Sequence, residues 1–103
     1  MNQFEKLDIW NESLEIITNI YQITKTYPTS ERFGLSDQIK RAANSMALNI
    51  AEGRGRSNDK EFSRFLSISL GSSYEVIAGL KISTKLGFIK ENQVPISIVT
   101  SIN

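Results

Sequence analysis

Residues 39–56 read IKRAANSMALNIAEGRGR. Ile39, Ala43, Met46, Ile50 and Gly53 recur at steps of four, three, four and three, the spacing of one helical face. Ala42, Ala47 and Ala51 flank that face. Side chains this small let a neighbouring helix approach closely. Gly53 and Gly55 are expected to break the helix in an EGRGR turn. A helix of this kind needs partners on more than one side, and the segments around it supply them.

Upstream, Ser36 is placed to cap this helix. Before it, Asp8 is placed to cap a helix over residues 9–26, with residues 1–7 as a lead-in. Trp10, Leu14, Ile17 and Tyr21 form one stripe, and Ile9, Ile16, Ile20 and Ile23 a second. Together they make the wide apolar arc of a helix with several neighbours. Tyr27-Pro28 ends it, because the residue before proline is pushed out of helical space. Residues 29–35, with Gly34, read as a connection.

Downstream, Asn58 with Glu61 fits a capping box for a helix reaching Leu86. Phe62, Leu66, Ser69, Ser73, Val76, Leu80 and Ser83 form its stripe. Gly71 and Gly79 lie inside it at about 1 kcal/mol each relative to alanine, a cost that predicts close helix contact at both. Gly87, followed by Phe88, suits the helix end. Residues 91–103 hold Val94, Ile98 and Ile102 at steps of four, with Val99 beside them and Pro95 fitted to a first turn. The reading is a single all-α domain over residues 1–103: a four-helix bundle with a short fourth helix.

The bulk properties narrow the function. Net charge is +1, so no global field favours nucleic acid or membrane. The charge is uneven: residues 36–66 carry six Lys/Arg against four Asp/Glu, whereas residues 1–35 carry three against five. Cysteine and histidine are both absent. That removes thiol chemistry and cripples the usual metal and triad arrangements. No P-loop or dinucleotide fingerprint occurs, and a di-metal bundle would want a Glu-x-x-His motif that the chain lacks. The stretch MNQFEKLDIW has neither the basic nor the apolar region expected of a signal peptide, and no apolar run reaches membrane length. The expectation is a non-catalytic cytoplasmic protein without cofactor or metal.

Five ordered pieces carry a resemblance: FEKLDIW near the start, YP with E and FGLSDQIKRAANS, then NIAEGRGR, EFSRFLSIS with GSSYE, and KLGFI. Across roughly residues 4–89 the chain resembles the four-helix-bundle proteins of the 23S rRNA intervening sequences. The resemblance implies an up-down-up-down bundle assembled into a ring-like homopentamer. A similar bundle is the accessory protein of the reverse transcriptase in diversity-generating retroelements, where it binds the transcriptase and nucleic acid through a basic surface. Met46-Ala47 stands where the family often has Ile-Pro, so no proline kink is expected. Ile77-Ala78-Gly79 replaces a more polar run.

Two sets of residues stand out as candidates. Lys40, Arg41, Arg54, Arg56, Lys60 and Arg64 form a basic set around the glycine-rich turn. Backbone N–H groups where that turn opens onto a helix could receive a phosphate. The plainer reading of the same residues is a solvated face paired with Glu52, Asp59 and Glu61. The second set is a polar seam, Ser45, Asn49, Glu52 and Arg56, read as structural: Asn49 and Glu52 satisfy backbone groups at the turn and Arg56 pairs with Glu52. The aromatics Phe4, Trp10, Phe62, Phe65, Tyr74 and Phe88 are read as core or subunit interface. Two functions follow. One is a homo-oligomeric accessory or scaffold that contacts RNA, DNA or a nucleic-acid enzyme. The other is a protein-interaction bundle with no nucleic-acid role.

Overall fold

A computed structural model describes residues 1–94 of the chain. Three long helices make up the described fold: α1 over Gln3–Thr24, α2 over Leu35–Arg54 and α3 over Asp59–Lys85. Short 3-10 turns follow α1 at Thr29–Glu31 and α3 at Glu91–Gln93. The expected count of four helices is therefore not reached among the described residues. Glu91–Gln93 is a single 3-10 turn and Val94 is extended; the rest of the expected fourth helix, with Pro95, Ile98 and Ile102, lies outside them.

The first helix starts well before Ile9. Asn2 caps it, its side-chain oxygen accepting from the Glu5 N–H at 2.9 Å while the Asn2 N–H donates to the Glu5 carboxylate at 3.2 Å. This reciprocal box satisfies two of the otherwise unpaired donors of the first turn, so Asp8 lies inside the helix. Residues 3–7 are thus helical and not a lead-in. Ile16 and Ile20 are its buried apolar residues.

Ser36 does not cap α2. Gly34 holds the cap position, and the Glu31 carboxylate reaches over from the preceding 3-10 turn to accept from the Leu35 N–H at 3.1 Å. Ser36 is buried in the first turn. At the other end the helix runs through Gly53 and closes at Gly55, whose N–H bonds back to Ala51 and Glu52 carbonyls. Gly53 is there for packing: a Cβ on it would lie 3.0 Å from the Phe62 ring and 3.1 Å from the Phe65 Cβ.

Both ends of α3 lie where the sequence reading puts them, but only half of the expected capping box forms, since the Glu61 carboxylate turns to Arg64. The Asn58 side chain accepts from the Glu61 N–H at 2.8 Å. Gly87 adopts φ +80°, and the Gly87 and Phe88 N–H groups bond back to Thr84 and Ser83. That pattern is a Schellman close, which needs a residue tolerant of the left-handed region at this one position.

Helices α2 and α3 run antiparallel. Ile39 lies opposite Gly79, the Met46 carbonyl accepts from the Ser69 hydroxyl at 2.8 Å, and Gly53 faces Phe62. The approach is tightest at Gly79, where an added Cβ would come within 2.5 Å of Ile39 Cγ1. Gly71 differs from its expectation, since an added Cβ there would meet nothing within 4 Å. Helix α1 packs on α2, with the Tyr21 hydroxyl accepting from the Asn44 side chain at 2.8 Å. The core holds Ile20, Ile39, Ala43, Val76 and Leu80, closed at one end by Tyr27 against Phe88 with ring centroids 5.6 Å apart. Buried Ser13 and Ser83 return their hydroxyls to carbonyls of their own helices, so neither leaves an orphaned donor. Between α1 and α3 a groove of about 250 Å³ remains, lined by Ile9, Ser13, Ile16, Met46, Leu66 and Leu70 among others.

Candidate nucleic-acid interface

The candidate basic residues fall into two groups. Arg54 is the last residue of α2, Arg56 lies in the turn after Gly55, and Lys60 and Arg64 stand on the first turns of α3. These four share one pole of the molecule. Lys40 and Arg41 do not join them: Arg41 precedes Arg54 by thirteen residues, roughly 20 Å along α2 at ~1.5 Å per residue. The Lys40 ammonium sits 5.5 Å from the Tyr21 ring centroid, and Arg41 pairs with Asp37 at 3.4 Å. Helix geometry separates what the sequence placed in one set.

At the pole, Phe65 is the organising side chain. Its Cβ is set against Gly53, and its ring carries two guanidinium groups, Arg56 at 4.8 Å and Arg64 at 4.5 Å from the centroid. Each arginine also holds a carboxylate: Arg56 pairs with Glu52 at 3.1 Å and Arg64 with Glu61 at 3.4 Å. Both pairs are well exposed, where such contacts contribute little. Lys60 is exposed and makes no ion pair among the described residues. Arg54 is half-buried, and its Nε is enclosed without a hydrogen-bond partner. Beside the turn a shallow depression of about 420 Å³ is lined by Leu48, Ala51, Glu52, Gly55 and Arg56.

Sequence reasoning missed Lys6. The residue is 4% exposed, and its ammonium lies 3.5 Å from the Asp59 carboxylate and 4.5 Å from the Phe62 ring centroid. It fastens the start of α1 to the start of α3. The signal was present: Lys6 lies on the same helical face as Ser13, Ile16 and Ile20, once α1 is extended backwards.

The polar seam divides as well. The Asn49 side chain donates to the Ser45 carbonyl at 2.8 Å, within its own helix and not at the turn. The Ser45 hydroxyl then meets the Ser72 hydroxyl of α3 at 2.9 Å. Glu52 stands apart, engaged with Arg56. Of the aromatics, Phe62 is in the core, whereas Phe4 is 81% exposed and Tyr74 50% exposed. Among the described residues no helix is long and apolar enough to cross a membrane.

The 23S rRNA-intervening sequence protein family matches residues 5–98, nearly the whole chain. The chain belongs to this family. Its three described helices and helical caps agree with that membership. No curated protein matches the chain. For this intervening-sequence protein, the NIAEGRGR stretch is thus the segment in which α2 packs on Phe62 and Phe65 and then turns to deliver Arg56.

Proposed function

We propose that the protein is a non-catalytic, cytoplasmic, homo-oligomeric bundle that serves as a nucleic-acid-associated accessory or scaffold. The observation that carries this reading is the convergence of Arg54, Arg56, Lys60 and Arg64 on one pole, beside the N-terminus of α3. Guanidinium groups bind phosphate bidentately, and a helix N-terminus favours an anion. Copies of this pole in an oligomer would add into a polyvalent phosphate surface whose affinity falls with salt. The homopentamer is what the family resemblance implies, and it belongs to the same proposal. Lys40 and Arg41, at a distance from the pole, have no part in it.

The test is a gel-shift titration of structured RNA and duplex DNA at two salt concentrations. An Arg56→Glu, Lys60→Glu variant is compared with a Lys40→Glu, Arg41→Glu variant, each checked for unchanged oligomeric state by sedimentation. The first is expected to lose salt-sensitive binding and the second to keep it. Equal loss in both, or no binding at low salt, counts against the pole.

A second reading, a protein-interaction bundle, has an observation in its favour. Leu7, Leu14 and Tyr21 recur every seven residues along α1 and remain at least 40% exposed. This seam suits a helix of another chain. Sedimentation of a Leu14→Glu variant decides whether that chain is a second copy: dissociation supports self-association, and an unchanged state assigns the seam elsewhere.

A further inference from the structure

We propose that Phe65 is the positioning residue of the phosphate-contacting arginines, and that Glu52 and Glu61 are exchangeable counter-ions whose place a phosphodiester takes. This rests on the nucleic-acid reading above and specifies how its site works.

Two like charges are held over one ring. The guanidinium carbons of Arg56 and Arg64 lie 4.8 and 4.5 Å from the Phe65 centroid. They are therefore no more than about 9 Å apart, and each is inside the ~6 Å within which a cation is drawn to the ring quadrupole. Arg56 comes from an irregular turn and Arg64 from a helix. Without Phe65 nothing common to both would fix their spacing. The Phe65 Cβ lies close against Gly53, so the ring is carried from the point where α3 packs on α2. A rigid element thus carries an otherwise mobile turn residue.

Each arginine has one carboxylate, in contacts of 3.1 and 3.4 Å that are open to solvent. A solvated pair of this kind is readily exchanged. Phosphate offers a guanidinium the same fork geometry with more charge, so it displaces the carboxylate while the ring retains the cation. Both faces of the exchange are written in the local sequence. Glu52 precedes Arg56 by four residues and Glu61 precedes Arg64 by three, spacings that make each pair intrahelical or nearly so. The carboxylates leave no tertiary contact behind when they swing away.

The experiment is fluorescence-anisotropy titration of a labelled oligouridylate RNA across a salt series. Four variants are compared with the unmodified chain: Phe65→Leu, Phe65→Tyr, Glu52→Gln with Glu61→Gln, and Arg56→Gln with Arg64→Gln. Phe65→Leu is expected to weaken binding about fivefold or more and to flatten its salt dependence, while Phe65→Tyr keeps both. The double Glu→Gln variant touches no core residue and is expected to bind several-fold more tightly at low salt. It keeps the proposal exposed even where Phe65→Leu fails to fold. Binding that needs the arginines but is indifferent to Phe65→Leu and to the glutamine pair overturns this inference and leaves the nucleic-acid reading standing. No binding by the unmodified chain at low salt overturns both.

Discussion

Gly71 and Gly79 show how differently one residue type can act within one helix. Both cost helix propensity, and on sequence alone both predict close contact. Only Gly79 has it, with Ile39 filling the space a methyl would need. Gly79→Ala is therefore expected to destabilise by about 1–3 kcal/mol in urea titration, overpacking outweighing the gain in propensity. Gly71→Ala is expected to stabilise by roughly 0.5–1 kcal/mol, since its Cβ meets nothing. A propensity cost can be read from a sequence, but the neighbour that justifies it cannot. Tyr27 makes a second residue-scale case. Its hydroxyl is enclosed without a hydrogen-bond partner, and burial raises its pKa above the ordinary 10.0. The folded pKa is the higher one, so the neutral phenol stabilises the fold at pH below about 10. This contribution is lost as pH rises from the unfolded toward the folded pKa. Tyr27→Phe is expected to remove that part of the alkaline decline, read as a smaller drop in melting temperature above pH 10 than in the parent.

At the scale of the element, helix ends separate the legible from the illegible. Both ends of α3 were readable because their signals are local: Asn58 three residues before Glu61, and Gly87 directly after the last turn. The starts of α1 and α2 were not. For α1, two capping residues compete, and Asn2 prevails because Glu5 returns its bond and Lys6 gains a buried position against Asp59 and Phe62. For α2, the capping carboxylate belongs to a separate turn, so no pattern inside the helix announces it. Asn2→Ala is expected to cost about 1 kcal/mol and to raise amide exchange in residues 3–7, with α2 and α3 unaffected. Unchanged exchange there would return the start of the helix to Asp8. The candidate site divides by the same logic. Arg54, Arg56, Lys60 and Arg64 were found from local sequence because a tight turn keeps them together. Lys40 and Arg41 were grouped with them only by nearness in the chain. The part of Phe65 was invisible, since it depends on the packing of α3 on α2 and on two arginines meeting one ring.

The whole molecule is a layered helical array in which α2 is central, in contact with both α1 and α3. The all-α class was legible from hydrophobic spacing, whereas the antiparallel course came only with the family resemblance. The expected fourth helix meets a single 3-10 turn at Glu91–Gln93, and the rest of it lies outside the described residues. The functional proposal belongs to this scale, since it sets one pole against the rest of a nearly neutral surface. Hydrogen–deuterium exchange of the intact protein, with and without structured RNA at low salt, tests it most directly. The account predicts added protection confined to residues 52–65, with residues 37–44 unchanged. Protection centred on residues 37–44 or on α1, or none anywhere under conditions where RNA is bound, would contradict it.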